Sequence, residues 1–184
     1  MGTLCRVKIS NDKGFTLPEI LSVVAILGVL FGIGFIAYRG MMDRYNVETQ
    51  MKEMYVDLMS ARIRALQRNR IHFVTFTSTQ YTVYEDTSPA PDGDGLFSSA
   101  TDSLIMQKSL MPKFPITYPA AWNNNATLLQ FTSKGLLDPS LTTMGTIRVT
   151  VEANGEYDCI AISEIRNSLG KWDATSTPPQ CKAK

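Results

Sequence analysis

The chain has few of the side chains from which most catalytic and metal sites are built. It contains one histidine, His72, and three cysteines among 184 residues. A zinc site needs several nitrogen or sulfur ligands, and a histidine-based triad needs a base beside a nucleophile. His72 falls in a predicted strand, and no nucleophile–base pair is recognisable elsewhere. We therefore expect no metal site, no cofactor and no enzymatic activity.

The chain also has no strong charge bias. It carries 18 basic and 17 acidic residues, a net charge of +1, and 44% of its residues are hydrophobic. This composition excludes a disordered tail protein and a strongly polyanionic or polycationic chain. Attraction to nucleic acid through net charge is weak, which leaves only a local basic patch for such a role.

One long stretch carries no charge at all. From Ile20 to Ala37 there are eighteen uncharged residues, of which only Ser22 is polar. At about 1.5 Å per residue they make roughly 27 Å of helix, enough to cross a bilayer core of about 30 Å. Glu19 stands at the start of this segment. A carboxylate is costly in lipid, so its presence there indicates a function.

The segment before the apolar run is short and basic. Residues 1–14 carry three basic residues and one acid, which places them in the cytoplasm by the positive-inside rule. A secretory signal has its small-residue cleavage site after the apolar region. Here the candidate cleavage point, between Gly14 and Phe15, comes before that region, and no A-x-A pattern follows it. Cleavage there would leave the helix on the mature protein.

The sequence KGFTLPE at residues 13–19 resembles the class III signal of type IV pilins and type II secretion pseudopilins. The resemblance implies that a prepilin peptidase cuts after Gly14 and that the new N-terminal residue, Phe15, is N-methylated. It also implies that Glu19 meets the amine of Phe15 on a neighbouring subunit when apolar helices pack into a filament. A carboxylate buried in an apolar bundle needs such a partner, and a methylated amine remains protonatable.

Helical periodicity continues beyond the apolar run. Apolar residues recur every three or four positions, while most charged residues occupy other faces. No proline interrupts the chain from Glu19 to Asn69, so we predict one long helix ending near Asn69. Gly40 is its softest point, because glycine costs roughly 1 kcal/mol inside a helix. The predicted apolar stripe consists of Val47, Met51, Met54, Leu58, Ala61 and Ala65.

After residue 70 the pattern changes to the alternation and short apolar runs typical of strands. Two hairpins are predicted, one joining Ile71–Thr77 to Gln80–Glu85 and one joining Gly145–Ala153 to Tyr157–Ile165 around Asn154-Gly155. Further predicted strands are Leu104–Leu110, Leu128–Thr132 and Gly170–Trp172, with a loop at 87–103 and an irregular or edge-like segment at 112–119. One long helix packed on antiparallel strands predicts an α+β domain.

The whole chain resembles the minor pseudopilin and minor pilin group labelled GspH/FimT. The resemblance rests on the alanine- and arginine-rich helix end at residues 60–69, the direct step into a hairpin, and FTSKG at 131–135 before a strand pair. It implies a pilin-like fold and a non-enzymatic minor subunit of a type IV pilus or type II secretion pseudopilus. The expected division is a leader at 1–14, a transmembrane and assembly helix at 15–38 and a globular domain at 39–184.

The resemblance also implies where the protein works and with what. We expect a single-pass protein of the bacterial inner membrane with a cytoplasmic N-terminus and a periplasmic domain, which then joins a filament. Its expected partners are the prepilin peptidase, other pilins or pseudopilins, the inner-membrane assembly platform, and lipid before assembly.

Two cysteines lie near the C-terminus. If the globular part lies outside the cytoplasm, Cys159 and Cys181 can form a disulfide, and the alternative is two unrelated thiols. Closing a loop of about 22 residues would stabilise the fold by roughly 3 kcal/mol in the chain-entropy model. Export of the domain favours the disulfide.

The helix end offers a candidate basic patch. Four arginines and His72 fall within eleven residues without an acid among them, and Arg64 and Arg68 share a face. A DNA-uptake pilin would use such residues on phosphates, so a DNA-binding minor pilin of a competence pilus is the alternative function. Arginines near a helix C-terminus also complement its dipole, and we favour that structural role.

An acidic loop, Glu85 to Gly95, invites comparison with calcium sites. Asp92-Gly93-Asp94-Gly95 lacks the remaining ligand spacing of a calcium loop. We expect a loop without metal.

Overall fold

The computed structural model describes residues 14–118, 128–138, 145–151, 155–177 and 179–184. The chain divides into two compact units, Met1–Gly40 and Met41–Lys184. The described residues contain one helix, α1 (Leu17–Arg68), followed by nine strands. The strands are β1 (His72–Phe76), β2 (Gln80–Glu85), β3 (Ser103–Ser109), β4 (Ile116–Thr117), β5 (Leu128–Phe131), β6 (Gly145–Val149), β7 (Cys159–Ile162), β8 (Asn167–Asp173) and β9 (Gln180–Ala183).

The predicted long helix is confirmed, and the backbone itself ends it. Asn69 has a φ of 52°, in the left-handed region that asparagine tolerates better than most residues. The N–H of Arg70 then donates to the carbonyl oxygen of Ala65 at 3.1 Å, which satisfies one of the carbonyl groups left free at the helix end. The last helical residue, Arg68, lies one position before the predicted end.

The predicted apolar stripe forms the inner face of α1 in the second unit. Its six residues, Val47, Met51, Met54, Leu58, Ala61 and Ala65, are all at most 2% exposed. Gln50 lies on the same face and is also buried, which the sequence did not predict. Its Nε2 donates to the carbonyl oxygen of Phe114 and its Oε1 accepts from the N–H of Met111, both at 2.9 Å. The nitrogen and the oxygen of the buried amide therefore each join the helix to the chain before β4.

The first sheet has the order β3-β2-β1-β5, and all its neighbours are antiparallel. The first predicted hairpin is confirmed as β1 and β2, with Phe76 opposite Tyr81. The N–H of Thr77 donates to the carbonyl oxygen of Gln80 at 2.8 Å and closes the turn. β3 and β5 confirm the two other strands predicted in this part of the chain.

The second sheet has the order β4-β6-β7-β8-β9 and is also antiparallel. The second predicted hairpin is confirmed as β6 and β7. Its last ladder pair joins Arg148 to Cys159, so the connection is longer than the two-residue turn expected at Asn154-Gly155. Asn154 itself lies outside the described residues.

The end of the chain differs most from the prediction. β8 begins three residues before the predicted Gly170–Trp172 and ends one residue after it. The residues that were expected to be a tail form β9, which pairs with β8. In this pairing Gly170 lies opposite Ala183 and Asp173 lies opposite Gln180. β9 has no apolar alternation, because it is an edge strand with little buried surface. The position of β9 is decided by its backbone pairing with β8 and by a disulfide, and not by the pattern of its own sequence.

One hydrophobic core joins α1 to both sheets. It includes Met54 from the helix, Phe76 and Tyr81 from the first sheet, and Ile147 and Ile160 from the second. A long helix with two antiparallel sheets around a shared core is the predicted α+β, pilin-like arrangement.

Candidate processing and assembly site

The backbone before α1 is open at the predicted cleavage point. Gly14, Phe15 and Thr16 are not helical, and all three are exposed, Phe15 by 78%. A Cβ placed on Gly14 would meet nothing within 4 Å. The packing of the described residues therefore leaves room for a side chain at this position.

Thr16 is the N-cap residue, directly before the first helical residue of α1. Its carbonyl oxygen accepts from the N–H of Glu19 at 3.1 Å and from that of Ile20 at 3.3 Å. Pro18 falls in the first turn, where its missing N–H costs no hydrogen bond. Thr16 and Glu19 also have the spacing of a capping box, a local signal that our sequence analysis missed.

Glu19 is an exposed carboxylate in the first turn of an apolar helix. A negative charge there interacts favourably with the positive end of the helix dipole. Among the described residues, no cation lies within ion-pair distance of the Glu19 carboxylate. The carboxylate is therefore available to a partner.

The apolar part of α1 is exposed along its whole length. It contains an eighteen-residue window long and apolar enough to cross a membrane, none of it buried. Gly28 and Gly32 lie one helical turn apart, and a Cβ on either would meet nothing within 4 Å. Such a surface is stable only against lipid or against other apolar helices.

The structure contains the predicted disulfide. Cys159 in β7 is bonded to Cys181 in β9, with the two Cα atoms 6.0 Å apart. The bond crosses β8, where Gly170 lies opposite Cys159. Our sequence analysis did not assign a role to Gly170, whose missing side chain makes room for the bond.

The arginines at the helix end do not form one open basic patch. Arg68 Nη1 lies 3.2 Å from Oε2 of Glu85, and Arg70 Nη1 lies 3.4 Å from Oε1 of the same carboxylate. Glu85 is buried, with 2% of its side chain exposed, and comes from β2. The arginine cluster has no acidic residue in its own stretch of sequence. The fold brings the carboxylate of Glu85 beside two of its arginines. Arg64 is exposed and has no ion pair among the described residues. DNA contact by Arg64 and Arg68 stays a prediction.

His72 is fully buried, and its Nδ1 lies 3.2 Å from the carbonyl oxygen of Arg70. Burial lowers the pKa of His72, more than its contact with the Arg70 carbonyl raises it. The lowered pKa favours the neutral imidazole. In the part of the chain that the structure describes, no group of three metal-ligating side chains occurs.

The acidic loop is organised by backbone N–H groups. Asp86 Oδ2 accepts from the N–H of Gly95, and Asp102 Oδ2 accepts from that of Ser98, both at 2.8 Å. Gly93 has a φ of 81° and packs so closely on the Asp86 carboxylate that a Cβ would clash with it. Burial raises the pKa of Asp86, which the Gly95 hydrogen bond partly opposes. These carboxylates shape the loop.

The fold and the N-terminal segment together define a pilin-like protein. Residues 9–35 match the prokaryotic N-terminal methylation motif, and residues 50–165 match the family described as type II transport protein GspH. The second match covers more than half of the chain, so this protein belongs to the GspH family. The N-terminal methylation motif and the GspH family confirm the predicted resemblance to the GspH/FimT group, and the family description selects type II transport from the two machines that the sequence analysis left open.

A similar solved structure is the minor pseudopilin EpsH from the type 2 secretion system of Vibrio cholerae. It is 12% identical, has a TM-score of 0.47, and the match covers 67% of this chain and 95% of that one. A search of curated proteins found no match. Proteins of this family are structural subunits, and the apolar helix indicates anchoring in the inner membrane.

Proposed function

We propose that this protein is made as a precursor, cut between Gly14 and Phe15 by a prepilin peptidase, N-methylated at Phe15, and assembled as a minor subunit of a type II pseudopilus. The observation that carries the proposal is the methylation motif at residues 9–35, which overlaps the first part of α1, where an eighteen-residue apolar window is not buried at all. A cut at this point removes the basic leader and keeps the helix.

The proposed topology follows from charge and redox chemistry. Residues 1–14 stay in the cytoplasm because of their positive surplus, residues 15–38 cross the membrane, and residues 39–184 lie outside the cytoplasm. The Cys159–Cys181 disulfide agrees with this side, because disulfides persist in oxidising compartments.

Assembly depends in this proposal on Glu19. Its carboxylate stands exposed at the head of an apolar helix, without a described cation beside it. When such helices leave the lipid and pack together, the charge is buried and needs a partner. The amine of Phe15 on a neighbouring subunit supplies one and so sets the axial position of one subunit against the next.

Close helix packing agrees with the open glycines of the same segment. Glycine is about 1 kcal/mol less favourable than alanine inside a helix, and no described residue fills the space at Gly28 and Gly32. The two glycines make sense when another helix backbone approaches this face.

Mass spectrometry of the N-terminus of the protein, isolated from its native membrane, tests the proposal. We expect a chain that begins at methylated Phe15. Gly14→Glu should leave the full precursor, seen as an unshifted band on a gel, because the glutamate side chain occupies space that is empty at Gly14. A native protein that keeps Met1, or normal cleavage of Gly14→Glu, contradicts the proposal. No contact of Arg64 or Arg68 favours the DNA-binding alternative, so no second function is proposed.

A further inference from the structure

A groove lies in the second unit between α1 and the end of the second sheet. It has a volume of about 930 Å³, within the range of sites that hold small ligands or short peptide segments. The helix contributes Lys52, Tyr55, Met59 and Arg62 to its lining, and the sheet and nearby loops contribute Tyr157, Arg166, Asn167, Ser168, Leu169, Ala183 and Lys184. We call this the basic groove.

The lining of the basic groove contains four cationic side chains and no acidic side chain. Lys52 is paired with Glu48 at 3.4 Å and Lys184 with Glu156 at 3.2 Å, and both acids stand outside the lining. The other two cations, Arg62 and Arg166, have no carboxylate partner among the described residues. The groove therefore carries an uncompensated positive charge.

Two polar side chains in its wall have unused hydrogen-bonding groups. Asn167 is 3% exposed, and neither its amide nitrogen nor its amide oxygen has a partner. Arg62 donates through Nη1 to the carbonyl oxygen of Ile165 at 2.7 Å, while its Nε and Nη2 are buried without partners. Burial lowers the pKa of Arg62, as expected for a guanidinium without a carboxylate to offset its desolvation. Buried groups of this kind normally have partners in folded proteins.

We propose that the basic groove binds an acidic, extended segment of another subunit of the same filament. This inference rests on the proposed function, because it takes the partner to be a fellow pseudopilin. A carboxylate side chain supplies acceptors for Arg62, for Arg166 and for the amide nitrogen of Asn167. A peptide N–H supplies the donor that the amide oxygen of Asn167 lacks.

The same chemistry argues against a nucleic acid as the occupant. The phosphate backbone of a nucleic acid offers acceptors for the arginines but no N–H donor for the Asn167 oxygen, because the N–H donors of a nucleic acid are on its bases. Tyr55, Met59 and Leu169 also give the groove apolar wall, which suits the side chains of a peptide. The test must therefore distinguish binding of a nucleic acid through its phosphates from binding of an acidic peptide.

Photo-cross-linking in native membranes tests the proposal on the full chain. A photoreactive amino acid is placed at Ser168, inside the groove, and at Gln67, which does not line it. Mass spectrometry then identifies the cross-linked peptides. We expect the Ser168 probe to capture an Asp- or Glu-rich segment of another subunit of the filament, and the Gln67 probe not to capture that segment.

Charge reversal supplies the matched pair of variants. Arg166→Glu should lower the Ser168 cross-link by about tenfold or more, because it sets like charges against each other. Arg64→Glu, an exposed arginine outside the groove, should leave it unchanged. Equal yields in the two variants, cross-links only to nucleic acid, or no cross-link to a filament subunit would overturn the inference. The mature N-terminus is measured in the same samples. A protein that is correctly processed but gives no cross-link would contradict the proposed binding at the groove and leave the proposed processing intact.

Discussion

Gly170 and Cys181 are so close that a side chain at residue 170 has no room. A Cβ on Gly170 would lie 2.9 Å from the Sγ of Cys181 and 2.2 Å from the carbonyl oxygen of Lys182. Contacts this short require the backbone of β9 to move. The disulfide that ties β9 to β7 therefore depends on the glycine of the strand between them.

Gly170→Ala should destabilise the oxidised protein by about 1–3 kcal/mol, because the added methyl group overpacks the space beside β9. Thermal unfolding under oxidising conditions measures the loss. Gly40→Ala is the matched control, since a Cβ on Gly40 meets nothing within 4 Å and alanine favours a helix. If the two variants unfold alike, the close packing at Gly170 does not limit stability.

Glu19→Ala should leave membrane insertion and processing intact and lower incorporation into filaments by more than about tenfold, since losing one partner of a buried ion pair costs about 3–5 kcal/mol. The protein content of sheared filaments measures incorporation. Ser22→Ala, one turn further along the same helix, is the control. Its hydroxyl only donates to the carbonyl oxygen of Glu19 at 2.8 Å, so we expect normal incorporation. Normal incorporation of Glu19→Ala would remove the assembly role from this carboxylate.

Glu85→Gln should lower the free energy of unfolding by about 1–3 kcal/mol, because it leaves Arg68 and Arg70 without their shared charged acceptor. Urea unfolding measures the change. Arg64→Ala, which removes an exposed arginine without an ion pair among the described residues, should change stability by less than about 0.5 kcal/mol. A Glu85→Gln protein as stable as the parent would mean that these ion pairs contribute nothing to holding the helix end on β2.

Asp86→Asn should change how stability depends on pH. Burial raises the pKa of Asp86 above its ordinary value, so the ionised carboxylate weighs against the folded state at neutral pH. As pH falls through the raised pKa, the folded protein takes up a proton before the unfolded chain does, and the parent gains stability. The stability of Asp86→Asn relative to the parent should therefore decrease from pH 7 to pH 4.

Urea unfolding at several pH values measures this trend. Asp92→Asn, an exposed aspartate of the same loop, is the matched control. The interpretation is wrong if the difference between Asp86→Asn and the parent is the same at every pH, or if it grows as the pH falls.

The features that the sequence predicted well are those encoded over short distances. The stripe from Val47 to Ala65 shows its period within a few turns, and the first hairpin is rich in aromatic and β-branched residues on both sides of a two-residue turn. The KGFTLPE signal occupies seven consecutive residues, 13–19. In each case, the residues that make the structure are neighbours along the chain, so their pattern is visible without knowing the fold.

Tertiary structure alone decided the features that join distant residues. Local pattern does not distinguish Gln50 from a surface glutamine, and only the chain around Phe114 gives its amide a buried role. Arg68 looked like part of a free basic patch until β2 brought Glu85 beside it. The sequence of β9 has too few apolar residues to predict a strand. An edge strand that is held by backbone pairing and by a disulfide does not need an apolar face. The amino-acid sequence by itself determined the long helix and its apolar first part, whereas the partners of its polar groups were decided when the sheets packed.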